Sequence, residues 1–257
     1  MRTVHVIAPV LNEEPNMPGL MQSWKELASE LNEFSFKFIL VDDGSTDGTG
    51  EAARNAGTGM DLTVLRHDVN KGPGYAFGTG FEYLAEKLKA EDIVVTIEGD
   101  NTSRISTLKI MLGRITRENV DVAFASVHAY GGGIVNTAGW KIIASHLSSG
   151  LTKIFLNIRG IHTFTSFFRA YQGYVILTLQ KAYGKRILEF PGFECMIELL
   201  KKIIIHRYSI SEVPMNLDTS MRKGKSKLKA FKTARKYFSV FYVAKKWEKV
   251  HVPDKKQ

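Results

Sequence analysis

Two carboxylates, Glu98 and Asp100, flank Gly99 where the apolar run Ile93-Val94-Val95-Thr96-Ile97 gives out. The β-branched run predicts a buried strand. In an α/β sheet, ligands bind beyond the carboxyl ends of the strands. Acids on either side of a glycine can hold one hard cation, which keeps water and phosphate oxygens as its other ligands. A polar turn that only closes the strand fits the same residues.

A second acidic set, Asp42-Asp43-Gly44-Ser45-Thr46-Asp47, follows the run Phe36 to Val41. An acid at this place can accept hydrogen bonds from a nucleoside base or ribose. Ser45 or Asp47 is expected to cap the next helix. Asn70-Lys71-Gly72-Pro73-Gly74 lacks the Lys-Ser/Thr ending of a P-loop, which excludes that class of NTPase, and reads as a glycine-rich helix start.

The elements that must position these residues alternate. Val4 to Val10 predicts a first strand, and a helix from Met17 carries Leu20, Trp24, Leu27 and Leu31 at helical spacing. Phe36–Val41, a helix through Ala52, Ala53 and Ala56, Leu62–Leu65, and a helix through Phe81, Leu84 and Leu88 follow. Strands and helices in this order predict an α/β fold, a mostly parallel central sheet with helices on both faces. Right-handed crossovers then bring the loops at Asn12, Asp42, Asn70 and Glu98 to one edge. Further strands are expected over Val120–Ser126 and Ser209–Met215, and a helix from about Trp140 to Leu156.

At 257 residues and 44% hydrophobic content the chain can bury a sizeable core. A single cysteine, Cys195, excludes a disulfide framework and reads as a small buried helix residue, and the scattered histidines do not form a zinc site. The reducing cytoplasm is the expected compartment: Met1 to His5 leads straight into the first strand, and no signal peptide is read there. From Arg222 to Gln257 there are 13 Lys/Arg against 2 acids, a net +11, while the rest carries 22 against 24. The expected division is a body over 1–221 and a basic tail over 222–257. The tail places Leu228, Phe231, Ala234, Phe238, Phe241 and Tyr242 near helical spacing. Such a basic amphipathic helix suits an anionic membrane surface, though the same stripe could pack on the body. With no recognised nucleic-acid module beside it, nucleic acid is not an expected partner.

Pro9-Val10-Leu11-Asn12-Glu13, Val41 to Asp47, Asn70 to Gly74 and Glu98-Gly99-Asp100 resemble, in order and spacing, the motifs of the family-2 glycosyltransferases, inverting enzymes of the GT-A nucleotide-diphospho-sugar fold. Thr165 to Tyr171, the run around Glu194 to Leu200, Glu212-Val213-Pro214 and Gly224 to Leu228 are similar to the dolichyl/polyprenyl-phosphate mannosyltransferase branch. The resemblance implies transfer of a sugar from a nucleotide-diphosphate sugar to a polyprenyl phosphate, at the cytoplasmic membrane face. It implies that Pro9, Val10, Asn12, Glu14, Asp42 and Asp43 line the nucleoside pocket. Glu98 and Asp100, with Gly99 between them, would hold Mg²⁺ or Mn²⁺ and the diphosphate, and Arg222 and Lys227 would close a basic loop over the phosphates. A phosphate acceptor needs no general base; a hydroxyl acceptor, on a saccharide for instance, would need one, with Glu194 the candidate. A non-catalytic nucleotide-sugar-binding protein is the remaining alternative. Phe164, Phe167, Phe168 and Tyr171 are expected in the core or along the groove, and Arg169 in a structural place. The chain departs from the resembled pattern at Glu98 and Thr163, where Asp is usual, at Phe167, where Gly is usual, and at His128 and Ala144, where Arg is usual.

Overall fold

The computed structural model describes residues 1–135, 160–218, 240 and 242–250. The chain opens with β1 at Arg2–Val10, α1 at Met17–Glu30, β2 at Phe34–Asp42, α2 at Thr49–Ala56 and β3 at Leu62–Arg66. Next come α3 at Pro73–Leu84, β4 at Ile93–Thr96, α4 at Ile105–Arg117, β5 at Val122–Ser126 and β6 at Gly133–Val135. It continues with β7 at Arg169–Gln172, α5 at Gly173–Tyr183, α6 at Cys195–Ile205, β8 at Ile210–Pro214 and β9 at Asn216–Asp218.

The main sheet runs β3-β2-β1-β4-β7-β5-β8, and β6 pairs with β9 in a small second sheet. Strand alternation divides the core in two. Val4, Val6, Ala8, Phe38 and Leu40 join Trp24 and Met111 on one face, while Ile7, Ile39, Val41 and Val94 join Phe77, Phe81 and Leu199 on the other. Both faces are covered, so the strands read as near-continuous apolar runs. Among the described residues only β7 runs against its neighbours, β4 and β5; the other pairings in both sheets are parallel. The register Val10↔Asp42, Asp42↔Arg66 and Ile7↔Thr96 brings the carboxyl ends of β1, β2, β3 and β4 to one edge.

One expectation changes. The cap of α2 is Gly48, not Ser45 or Asp47, although Asp47 Oδ1 still accepts from the Thr49 N–H at 3.1 Å. The helix expected over 140–156 lies outside the described residues, as do Ala144, Arg222, Lys227 and most of the tail. The described end of the tail belongs to the body: Val240, Ala244 and Trp247, spaced as one helical face, lie in the core cluster of α3, α5 and α6. Tyr242, assigned to the apolar stripe, is on the outside at 90% exposure. No helix among the described residues is long and apolar enough to cross a membrane.

Candidate active site

The loop after β1 is stapled to the loop after β2. Asn12, in the left-handed region at φ 49°, accepts from Thr46 N at 2.8 Å through Oδ1, while its own N–H donates to Ser45 Oγ at 2.9 Å. Glu14 Oε2 accepts from Gly48 N at 2.9 Å. These contacts give Asn12 and Glu14 the work of joining two loops. A cleft of about 230 Å³ opens beside them, lined from β1 by Pro9, Val10, Leu11 and Glu13 but by neither Asn12 nor Glu14.

The two acids after β2 separate in the same way. Asp42 has no exposed surface and does not line the cleft; its Oδ1 accepts from Ser45 N at 2.9 Å, and Arg66 Nε lies 3.8 Å from Oδ2. Asp43 does line it. Its carboxylate accepts from Lys71 N at 3.0 Å and Gly72 N at 2.7 Å, and lies 2.8 Å from His67 Nδ1. Of the expected nucleoside-facing pair, only Asp43 stands on the wall.

The glycine-rich start of α3 is a clasp. Pro191 O accepts from Gly74 N at 2.7 Å and Tyr75 N at 3.4 Å, so these amides of the first turn are already engaged. Gly72 has φ +97°, and a Cβ on Gly74 would lie 2.1 Å from Phe190 O. Asn70 and Pro73 nevertheless reach the cleft wall.

The loop after β4 brings Glu98, Gly99 and Asp100 to the same cleft. Glu98 Oε2 accepts from Ser103 Oγ at 2.8 Å and Oε1 from Phe167 N at 3.3 Å. Burial, and then the charge of Asp100, push the Glu98 carboxyl pKa above its usual range. Asp100 Oδ1 accepts from Thr102 Oγ1 at 2.7 Å and Thr102 N at 3.2 Å, a turn completed by Asn101 at φ 60°. Two neighbouring acids whose charges oppose each other suit a divalent ion that takes its other ligands from water and phosphate. Among the described residues no group of three or more His, Cys, Asp or Glu gathers to hold a metal. Both carboxylates accept hydrogen bonds from the chain, Glu98 through both oxygens.

Gly99 permits this approach. A Cβ there would lie 2.4 Å from Val10 Cγ1 and 2.6 Å from Pro9 O, at the end of the neighbouring strand β1. Gly99→Ala is therefore expected to cost about 1–3 kcal/mol of stability and to displace Asp100. Urea unfolding checks the first effect, and nucleotide affinity in the folded variant checks the second.

Phe167 and Phe193 also line the cleft. Their rings stack with centroids 5.4 Å apart at 9°, and Phe77 meets Phe167 edge-on at 5.0 Å. Phe167, Phe164, Phe168 and Tyr171 are all buried, as expected. Phe193 was missed by sequence reasoning; its only signal is an aromatic ring beside Glu194. Glu194 itself is 2% exposed, accepts from Gly192 N at 3.3 Å, and does not line the cleft. Thr163 Oγ1 lies 2.6 Å from Ser126 Oγ, and Glu212 accepts from the N–H groups of His162 at 2.9 Å and Thr163 at 2.8 Å. That loop is thus tied to β5 and β8. His128 N donates to the same Ser126 Oγ at 3.2 Å.

Comparison with known proteins fits this arrangement. Residues 5–176 match the description of glycosyl transferase family 2. Polyprenol monophosphomannose synthase of Mycolicibacterium smegmatis is 25% identical over 91% of this chain and 84% of its own length. Dolichol-phosphate mannosyltransferase of Pyrococcus furiosus is 28% identical over 95% of this chain, which spans only 64% of that longer protein. Among solved structures, glucosyl-3-phosphoglycerate synthase from Mycobacterium tuberculosis, in complex with Mn²⁺, uridine diphosphate and glucosyl-3-phosphoglycerate, superposes with a TM-score of 0.66 at 20% identity. That match covers 98% of this chain and 81% of the other. The fold is the GT-A fold.

Proposed function

We propose that this chain, which belongs to glycosyl transferase family 2, moves a sugar from a nucleotide-diphosphate sugar to a polyprenyl phosphate with inversion, assisted by Mg²⁺ or Mn²⁺. The observation that carries the reading is the cleft itself: Asp43 on one wall, Glu98 and Asp100 on another, and the Glu194 carboxylate buried off it. The two mannosyl relatives, matched over 91% and 95% of this chain, point to the same acceptor class.

In this reading Asp43, Pro9 and Val10 hold the nucleoside, and the Gly99 turn holds the diphosphate beside Asp100. The bond from the sugar's anomeric carbon to the donor phosphate oxygen breaks, and a bond to an acceptor phosphate oxygen forms on the opposite face. The leaving diphosphate takes the electron pair. A divalent ion bound at Asp100 and Glu98 would offset that charge. The acceptor oxygen is already anionic, so no residue need remove its proton. Binding at an anionic membrane surface, on its cytoplasmic face, through the basic tail belongs to the same proposal, as do roles for Arg222 and Lys227 over the phosphates.

Glu194→Gln tests the acceptor. Transfer to polyprenyl phosphate is expected to stay near the parent rate, because a buried carboxylate off the cleft is not the base. A loss of about 10²-fold or more, with only water-soluble products, would favour a hydroxyl acceptor instead. Screening nucleotide sugars for thermal stabilisation, with and without Mn²⁺, identifies the donor, since a ligand specific to the folded state raises the melting temperature. Binding without turnover on any acceptor would favour a non-catalytic protein.

A further inference from the structure

Among the described residues, the Glu198–Lys202 pair of α6 is the ion pair with both side chains wholly shut off from solvent. Lys202 Nζ donates to Glu198 Oε1 at 2.5 Å and to Ile187 O at 2.6 Å, and it sits 4.5 Å and 4.8 Å from the ring centroids of Tyr183 and Trp247. A buried pair of this kind is weak support for stability by itself. Its partners suggest another purpose.

The pair grips a strap of chain, residues 187–193, at one end. Ile187 is buried and held at φ 64°, a strained conformation for a β-branched residue, with its carbonyl on Lys202. Glu198 accepts from Glu189 N at 2.8 Å and Phe190 N at 3.0 Å. The C-terminal segment grips the same place: Trp247 Nε1 donates to Glu189 Oε1 at 2.8 Å, and its ring meets Phe190 edge-on at 6.3 Å. The far end of the strap forms the cleft. Pro191 O accepts from the Gly74 and Tyr75 amides behind Pro73, and Phe193 stacks on Phe167. Gly74 leaves no slack in this contact, since even a methyl group there would overlap Phe190 O.

We propose that Lys202 is a positioning residue through which the C-terminal segment, residues 242–250, sets the cleft wall made by Phe193 and the start of α3. The proposal deepens the reading of this cleft as a donor site and rests on it. Trp247 and Lys202 touch no reacting atom. They act by fixing the strap, so a disturbance at Trp247 reaches Asn70, Pro73 and Phe193, and occupation of the cleft reaches Trp247 in return.

The test uses the full chain. Trp247→Phe keeps the apolar bulk and removes the N–H donated to Glu189. Because Lys202→Met alone strands Glu198 and can prevent folding, Glu198→Gln/Lys202→Met is the second variant. Amide hydrogen exchange is read at Glu189 and Phe190, at Gly74 and Tyr75, and at Val6 and Ala8 of β1. Both variants are expected to speed exchange about tenfold in the first two sets and to leave β1 unchanged. Binding of UDP and of GDP, each with Mn²⁺, is measured alongside, and the nucleotide that binds the parent should bind both variants about tenfold more weakly. Faster exchange confined to Glu189 and Phe190, a uniform rise that includes β1, or unchanged nucleotide affinity would overturn the proposal. If neither nucleotide binds the parent, the donor reading fails. The exchange pattern still decides whether the segment is coupled to the cleft wall.

Discussion

Asp100→Asn is expected to lower sugar transfer by about 10²–10³-fold, the scale for losing one preorganised electrostatic partner of a developing charge. The fold should survive, because an asparagine Oδ1 can still accept from Thr102 N and Oγ1. Glu98→Gln should cost less activity, since Glu98 stands where the resembled motif has the shorter Asp, whereas Asp100 keeps the usual residue. Steady-state rates at saturating Mn²⁺, beside melting temperatures, separate the two variants. Equal losses would mean that both carboxylates bind the ion alike.

Arg169→Met should act on stability. The guanidinium has no exposed surface; it donates to Ser166 O at 2.9 Å, Met196 O at 3.0 Å and Phe164 O at 2.6 Å, and stacks 4.3 Å from the Phe124 ring centroid. Burial pushes its pKa down. At about 1 kcal/mol or more for each stranded carbonyl, the loss should be about 3 kcal/mol or larger, read by urea unfolding. A stable variant without activity would instead place Arg169 in the chemistry.

The first four strands and their convergence were legible because β1 and β2 are long apolar runs, each ended by polar loop residues. The antiparallel strand β7 was not. Arg169–Gln172 spans four residues, all buried, so it shows no alternation, and its partners are distant in sequence at Val94 and Phe124. Sequence marked Asp42 and Asp43 as equivalent acids. Only the fold turns Asp42 inward to cap its own turn and leaves Asp43 on the wall. The Asn70–Gly74 segment was legible as a helix start, but the acceptor of its amides is Pro191, far along the chain. The tail's charge was plain; its docking through Val240, Ala244 and Trp247 depends on the cavity that α3, α5 and α6 leave for them.

The most direct test of lipid-linked sugar transfer supplies the purified chain with labelled UDP- and GDP-sugars, Mn²⁺ and a polyprenyl phosphate, and follows label into the organic phase. The expected result is an organic-extractable product that requires the metal, disappears in Asp100→Asn and persists in Glu194→Gln. Label found only in water-soluble products, or transfer unaffected by Asp100→Asn, would contradict it.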